Sequence, residues 1–251
     1  MHRFFVSQDR VFGDKIQITG GDVAHISRVL RMSPGDRMMV NISMNTECLA
    51  QISTIDKDEV WADIVEIREI KRELPVEVVL FQGLPKGDKM DRIVQKAVEL
   101  GAGEVVPVKT HRSIVKIDEK KAKNKVSRWQ GIAESAAKQS GRGKIPAVKA
   151  PMTFQEALEE AESCDLVLIP YELCESMKET KEFLGTIPDR VAGGSCKKIG
   201  IFIGPEGGFE KEEVEKVRTM GGEEITLGKR ILRTETAGIC LLSILMFLLE
   251  E

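Results

Sequence analysis

The chain has 251 residues, of which 42% are hydrophobic, 31% charged and 5% aromatic. These proportions are typical of a folded globular protein and exclude a disordered or collagen-like chain. Aromatic residues are too sparse for base stacking to be the main means of holding nucleic acid. The length accommodates one large domain or two modest ones.

No pattern in the sequence indicates a disulfide framework, a metal site or a membrane segment. The five cysteines are odd in number and scattered, no CxxC occurs, and the three histidines are far apart. The longest apolar run, residues 237–249, is shorter than the about 20 residues that cross a bilayer. Residues 1–11 lack an apolar run of signal-peptide length. We therefore expect a cytoplasmic protein with no metal and no membrane association.

The formal net charge of −3 conceals one strongly basic segment. Residues 109–144 carry 11 Lys or Arg against 3 Asp or Glu, an excess of eight positive charges. In an otherwise acidic chain this segment is a candidate surface for a polyanion. The simpler alternative is a solvated helix face.

Residues 1–72 are predicted to form a small β-barrel that includes one helix. Apolar positions at helical spacing predict the helix over residues 21–31, with Asp22 as its N-cap. The charged run 66–73 predicts a hinge, so we place a domain boundary near residue 72. Turn signals separate five short apolar segments, which predict strands at 3–6, 15–18, 37–43, 48–55 and 60–67.

Residues 73–251 are predicted to form an α/β domain, because continuous apolar strands alternate with helices. This pattern is typical of a parallel sheet covered on both faces. The predicted strands are 76–82, 104–108, 166–170, 198–203 and 224–227. The predicted helices are 88–100, 118–139, 154–161, 211–220 and 234–249. The last helix is apolar nearly all round, so it must be buried in the core or against another subunit.

Three loops that follow strands of this domain are candidates for a ligand site: loop 1 (residues 170–172), loop 2 (203–209) and loop 3 (227–237). In an open α/β sheet, ligands bind outside the carboxyl ends of the strands. Loop 2 has three glycines around one acid but lacks the GxxxxGK[ST] and GxGxxG phosphate motifs. Its acid favours a ligand that tolerates a carboxylate or is cationic. The alternative is a tight turn from strand to helix.

Loop 3 places cations where a helix disfavours them. The positive end of a helix dipole is preceded here by three basic residues, Lys229, Arg230 and Arg233. Capping by Thr234 or Thr236 accounts for a threonine but not for these charges. Unfavourable charges often mark a site, and Arg233 can bind a carboxylate or phosphate through two parallel hydrogen bonds. The alternative for Arg233 is a structural salt bridge to Glu235 or Glu206.

These loops and several shorter motifs together resemble the ribosomal RNA small-subunit methyltransferase E family, of the knotted SPOUT class. The resemblance covers essentially the whole chain, and loops 2 and 3 in combination are its most specific part. The other matching segments are 3–6, 24–26, 29–31, 84–90, 95–101, 112–113, 128–129 and 139–142. One departure is the sequence Ser-Ala-Ala-Lys at 135–138, where the family has Glu-Ala-Ala-Glu, so we assign no role to Ser135 or Lys138.

The resemblance implies a small PUA-like RNA-binding β-barrel over residues 1–72. It implies an α/β knotted SPOUT methyltransferase domain over residues 73–251, with a parallel sheet and a C-terminal trefoil knot. A homodimer through the C-terminal domain is also implied, with S-adenosylmethionine bound in the knot. The implied cofactor residues are Tyr171, Glu172, Ile203, Gly204, Pro205, Glu206, Gly207, Leu227, Gly228, Ile231, Leu232, Thr236 and Ala237.

By the same resemblance, the reaction is methylation of N3 of uridine 1498 in 16S rRNA of the small ribosomal subunit. Arg233 is the candidate to stabilise the developing uracil anion, and Glu235 or Glu206 is the candidate to accept its proton. The alternatives are a SPOUT methyltransferase acting on another RNA site, or a non-catalytic RNA-binding ribosome assembly factor. The candidate RNA contacts are Arg3, His25, Arg28, Arg31, Lys86, Lys89, Arg112, Lys116, Arg128 and Arg142.

Overall fold

The structure is a computed structural model, and it describes residues 1–113, 119–174 and 176–250. The described chain folds into two compact units. The N-terminal unit consists of Met1–Glu73 and Ala137–Ile145, and the C-terminal unit consists of Leu74–Ala136 and the chain from Pro146 onward. The predicted boundary near residue 72 did not include the segment 137–145.

The N-terminal unit contains, within the described residues, six strands: β1 (Arg3–Phe5), β2 (Val11–Phe12), β3 (Lys15–Thr19), β4 (Arg37–Ser43), β5 (Thr46–Ile55) and β6 (Glu59–Glu69). They form a sheet in the order β1-β4-β5-β6-β3-β2. β1 pairs with β4 in parallel, and the other neighbours are antiparallel. A short helix, α1 (Gly21–Ala24), continues into a π-helical turn over His25–Val29.

A single apolar core fills the inner side of this sheet. Successive side chains of a strand face opposite sides, so Ile16 and Ile18 of β3 are buried while Lys15 is exposed. Val23 of α1 and Ile26 of the π-helical turn pack into the same core. The helix therefore closes one side of the core that the strands enclose.

A buried ion pair holds the segment 137–145 in the N-terminal unit. The Glu73 carboxylate accepts hydrogen bonds from the Arg142 guanidinium and, at 2.8 Å, from the Gly143 amide. Asn41 Nδ2 donates to the Arg142 carbonyl at 3.0 Å, and Arg142 is only 3% exposed. Burial alone would raise the pKa of Glu73, but the hydrogen bonds and charge of Arg142 outweigh it and lower that pKa.

The described part of the C-terminal unit contains seven strands: β7 (Glu77–Gly83), β8 (Glu104–Lys109), β9 (Ala147–Val148), β10 (Met152–Thr153), β11 (Leu166–Pro170), β12 (Lys198–Ile203) and β13 (Glu223–Ile225). They pair in parallel in the order β10-β8-β7-β12-β11-β13, with β9 also beside β8. The helices are α2 (Lys89–Glu99), α3 (Glu119–Ser140), α4 (Phe154–Ala161), α5 (Met177–Leu184), α6 (Ile187–Ala192), α7 (Lys211–Thr219) and α8 (Thr234–Leu249). The end of α3, from Ala137 onward, belongs to the N-terminal unit.

Helices cover both faces of the parallel sheet. On one face, Phe81 of β7 stacks on Phe202 of β12 with ring centroids 4.5 Å apart, and α4 and α7 pack over them. On the other face, α8 packs against β12 and α2. The sheet is therefore apolar on both sides, as the continuous apolar strands predicted.

Some elements have no counterpart among the predictions. The three strands missed among the described residues, β2, β9 and β10, are two residues long and too short to show periodicity. The helices α5 and α6 were also missed, although Ser176 caps α5 by accepting a hydrogen bond from the Glu179 amide at 3.2 Å. A Ser followed three residues later by Glu was the available signal.

Two local predictions were wrong. The predicted hinge over 66–73 is strand in its first half, because β6 continues to Glu69 in register with β5. Asp22 does not cap the first helix, whose N-cap is Gly20. The predicted start of α3 at Asp118 lies outside the described residues.

The described residues bear on the expectations for membrane helices, metal sites and disulfides. No helix in it combines the length and apolar character that crossing a membrane requires. No group of three or more His, Cys, Asp or Glu side chains in the same residues is arranged to hold a metal ion. All five cysteines have free thiols.

We expect Arg142→Ala to lower the free energy of unfolding by about 3–5 kcal/mol, because it leaves a buried carboxylate without its cation. Urea unfolding at pH 7 measures the change, and Arg37→Ala, at an exposed position, is the control. The folded state lowers the pKa of Glu73, so the wild type gains this stability above the usual carboxyl pKa of 4.5 and loses it at lower pH. The difference between wild type and Arg142→Ala should shrink as the pH falls below that value. A difference that stays constant from pH 7 to pH 3 would contradict the assignment.

Candidate active site

The three predicted loops line a common cavity of about 380 Å³ at the carboxyl edge of the parallel sheet. Loop 1 follows β11, loop 2 follows β12 and loop 3 follows β13. The volume lies in the range of about 300–1,000 Å³ of small-molecule sites. The predicted residues that line the cavity are Tyr171, Glu172, Ile203, Gly204, Pro205, Glu206, Leu227, Gly228, Ile231, Leu232, Arg233 and Ala237.

Three predicted site residues do not line the cavity: Gly207, Glu235 and Thr236. Several lining residues were missed by the cofactor prediction, namely Lys89, Pro170, Gly208, Phe209, Thr226, Arg230 and Thr234. Most of these are neighbours of predicted residues along the same loops. Lys89 comes from the start of α2, more than 80 residues before loop 1, and no local pattern connected it to the loops.

Glu206 of loop 2 is held by the segment between β7 and α2. Its Oε1 accepts hydrogen bonds from the Lys86 amide at 3.1 Å and from Lys89 Nζ at 2.7 Å. Burial raises the pKa of Glu206, but the bonds to Lys89 and Lys86 outweigh it, and the pKa lies below its usual value. Glu206 is therefore ionised at neutral pH, and Lys89 is engaged with an acid.

Loop 2 needs glycine at its points of closest approach. A Cβ atom on Gly83, at the end of β7, would lie 2.6 Å from the ring and nitrogen of Pro205. Gly208 has a φ of +69°, which favours glycine. The tight course of loop 2 therefore depends on missing side chains both within it and beside it.

Arg112 supports loop 2 from outside the cavity. Its Nη1 donates to the Gly207 carbonyl at 2.7 Å, and its Nε donates to Glu210 at 2.8 Å. A Cβ atom on Gly207 would lie 3.1 Å from the Cβ of Arg112. The contact explains why Gly207 does not face the cavity. It also gives Arg112, a predicted RNA contact, a role in holding the loop.

Loop 3 is fixed at both ends. Thr180 Oγ1 of α5 accepts a hydrogen bond from the Thr226 amide at 3.1 Å, and Gly228 has a φ of +115°. At the other end, the N-cap of α8 is Arg233, and no side chain caps the helix. Capping by Thr234 was therefore a wrong prediction: its hydroxyl instead donates to the Gly204 carbonyl of loop 2 at 2.6 Å.

The three predicted catalytic side chains differ in their surroundings. Arg233 lines the cavity, is exposed, and forms no ion pair or hydrogen bond through its guanidinium with any described residue, so the alternative of a structural salt bridge is not realised. The Glu235 carboxylate is 18% exposed, and its Oε2 lies 3.9 Å from Lys89 Nζ. That oxygen accepts no hydrogen bond from the described chain. Glu206, by contrast, is fully engaged.

The predicted RNA contacts of the N-terminal unit fall into two groups. His25, Arg28 and Arg31 are exposed on or just after the π-helical turn. Arg3 and Arg142 are instead turned inward: Arg3 pairs with Glu47, and Arg142 with Glu73. Arg142 is buried, the Arg3 side chain is 14% exposed, and each pairs with an acid, so we do not expect either cation to be available to a phosphate.

In the C-terminal unit, Lys86 is exposed, and Arg128 is exposed but pairs with Asp91. Lys116 lies outside the described residues. Lys138, at the departure from the family pattern, belongs to the N-terminal unit, where its Nζ donates to Asp22 at 2.8 Å. It therefore helps to anchor the segment 137–145.

The chain has a parallel sheet with a glycine-lined cavity at its carboxyl edge and, as a separate unit, a small β-rich fold, and both agree with the domains that the family comparison finds. Residues 72–246 match the RNA methyltransferase domain, and residues 18–65 match the RNA methyltransferase PUA domain. These matches make the class of protein an RNA methyltransferase.

Relatives narrow the class further. The chain is 37% identical to ribosomal RNA small subunit methyltransferase E of Bacillus subtilis, covering 100% of this chain and 98% of that protein. It is 31% identical to the protein of the same name from Synechocystis, covering 100% of this chain and 78% of that protein. The chain belongs to the ribosomal RNA small subunit methyltransferase E family.

Solved structures agree with this assignment. The family member from Neisseria gonorrhoeae, bound to S-adenosylmethionine, superposes with a TM-score of 0.80 at 29% identity over 99% of this chain and 98% of that one. A methyltransferase from Legionella pneumophila, in complex with the same cofactor, gives a TM-score of 0.82 at 30% identity over 97% and 96% of the two chains.

Proposed function

We propose that this chain methylates N3 of uridine 1498 in 16S rRNA of the small ribosomal subunit, using S-adenosylmethionine. The observation that carries the proposal is the cavity of loops 1 to 3, in a chain of a family with cofactor-bound relatives. The general class, an RNA methyltransferase, rests on the family match alone. The particular base comes from the resemblance of the motifs.

The residues of the cavity fit this cofactor. Adenine needs apolar walls and backbone hydrogen-bonding groups, which Ile203, Leu227 and Leu232 supply together with Gly204. The ionised Glu206 suits a cationic ligand better than a phosphate. When bound, S-adenosylmethionine supplies an electrophilic methyl group on a positively charged sulfur.

Arg233 and Glu235 are the residues we assign to the chemistry of the base. Uracil N3 carries a proton, so a nearby group must accept it while a cation stabilises the charge that develops on the ring. The Arg233 guanidinium lies at the cavity and has no partner among the described residues, so it suits the second task. To accept the proton we favour Glu235, because its Oε2 accepts no hydrogen bond from the described chain. Glu206 is less suitable, because its carboxylate already accepts hydrogen bonds from Lys89 and the Lys86 amide.

The RNA contacts we propose are exposed cations on each unit, taken separately, and they exclude Arg3 and Arg142. His25, Arg28 and Arg31 supply them on the N-terminal unit, and Lys86 and Arg128 supply them on the C-terminal unit. The uridine must be unpaired or flipped out, because N3 is engaged in a base pair. A cytoplasmic location follows from this substrate.

We also infer a homodimer and a C-terminal trefoil knot. The knot is supported by the family resemblance. The dimer is supported by the outward face of α8, where Phe247 is 82% exposed and Ile244 and Leu248 are half-buried. A second copy of this apolar face is the partner that would cover it.

The proposed function is tested first by binding and product mapping. We expect calorimetry to show stoichiometric binding of S-adenosylmethionine. Incubation with 30S subunits from a strain lacking this activity should yield 3-methyluridine at position 1498. Failure to bind either the cofactor or its demethylated product would indicate a non-catalytic assembly factor. A modified base elsewhere would indicate another RNA site.

The catalytic assignment predicts separate effects on turnover and cofactor binding. We expect Arg233→Ala to lower kcat by about 10²–10³-fold, and Glu235→Gln to lower it by about 10²–10⁴-fold, with cofactor affinity nearly unchanged. Lys229→Ala, an exposed cation of the same loop that does not line the cavity, is the matched control. Equal losses of turnover and cofactor affinity would contradict the assignment of Arg233 and Glu235 to the chemical step.

The dimer assignment predicts that Phe247→Asp shifts the protein toward monomers, because each buried large apolar side chain contributes about 1.5–3 kcal/mol. Analytical ultracentrifugation over a concentration series measures the shift. Ile67→Asp, which changes an exposed apolar residue of β6, controls for surface charge alone. Identical sedimentation of wild type and both variants would exclude α8 as the dimer surface.

A further inference from the structure

A chain of hydrogen bonds joins β7 to α8 and loop 2 beneath the cavity. Gln82 Nε2 donates to Thr234 Oγ1 at 2.8 Å, and Thr234 Oγ1 donates to the Gly204 carbonyl at 2.6 Å. Gln82 Nε2 also donates to the Gly83 carbonyl at 3.0 Å. Gln82 is fully buried and Thr234 is 5% exposed, so these bonds are shielded from water.

Stability alone does not account for Gln82. It lies in the buried strand β7, where an apolar side chain would pack without burying a polar atom. Its Oε1 accepts no hydrogen bond from the described residues, so the fold keeps a buried polar atom unpaired. Departures of this kind from local rules are found at functional sites. Thr234, likewise, does not cap α8.

We call the hydrogen-bonded chain of Gln82, Thr234 and the Gly204 carbonyl the relay. Only part of the relay reaches the cavity. Gly204 and Thr234 line the cavity, and Gln82 does not. The Thr234 hydroxyl is at once donor and acceptor, which only a hydroxyl side chain of this length can provide. It therefore sets the direction of one loop 2 carbonyl and the distance between loop 2 and the start of α8. Each bond in such a chain polarises the next.

We propose that Gln82 and Thr234 are positioning residues that hold loops 2 and 3 in their binding geometry before the cofactor arrives. The inference rests on the proposed function, because it names S-adenosylmethionine as the ligand of the cavity. A cavity formed in advance spares the ligand the cost of ordering the loops. Loss of the relay should therefore weaken cofactor binding and leave the chemical step largely intact.

The test compares Thr234→Val, which keeps the shape and removes the hydroxyl, with Thr234→Ser, which restores it. Calorimetry with S-adenosylmethionine should give about tenfold weaker binding for Thr234→Val, as expected for loss of about one hydrogen bond. The KM for the cofactor should rise in parallel, kcat at saturating cofactor should stay within about threefold, and Thr234→Ser should recover most of the affinity. Thr219→Val removes a hydroxyl bond on α7 and is the matched control.

Two further measurements separate the possible failures. If the wild type does not bind S-adenosylmethionine, the proposed function itself fails. If the wild type binds and a folded Thr234→Val binds equally well, or loses kcat as much as affinity, the positioning role is overturned. Should Thr234→Val not fold, Gln82→Met decides, since it leaves the bond from Thr234 to Gly204. Weaker binding with kcat retained supports the relay, and unchanged binding overturns it.

Discussion

The parallel arrangement of the C-terminal sheet is the constraint on which the site depends. Because all its strands run in one direction, the ends of β11, β12 and β13 reach the same edge and deliver loops 1, 2 and 3 to one place. Contacts from other parts of the chain then hold each loop. Glu206, Gly207 and the Gly204 carbonyl are each held by a group from elsewhere in the chain. The sheet brings the loops together, and these contacts give them a fixed shape.

Much of this arrangement could be predicted from the sequence, because it follows from local periodicity. Continuous apolar strands such as 198–203 indicated a parallel sheet, and glycines in loop 2 indicated a close approach to a ligand. Contacts between distant residues left no such signal. Nothing near Arg112 indicates that it supports Gly207, and nothing near Lys89 connects it to Glu206. These pairings depend on tertiary geometry, which a pattern along the chain does not encode.

The basic residues divide between internal and external roles. Arg3, Arg112 and Arg142 neutralise acids of this same chain, so a count of positive charges overstates the surface available to a polyanion. Burial converts Arg142 from a recognition element into part of the framework, whereas Arg112 stays exposed and is engaged through its pair with Glu210. Arg28, in the π-helical turn, and Arg31, just after it, are exposed and form no ion pair with another described residue. Exposure and pairing with an acid together thus separate the candidates that charge alone made equivalent.

The return of residues 137–145 to the N-terminal unit means that the chain passes between the units three times. A fragment ending at residue 73 would carry the Glu73 carboxylate without Arg142, and it would lack the strip of backbone that covers it. The C-terminal unit, in turn, is divided in the sequence by residues 137–145, which belong to the other unit. Neither half can be excised with a single cut. Exchange of the RNA-binding unit during evolution would therefore require matched breakpoints at three junctions, which favours inheritance of the two units as a pair.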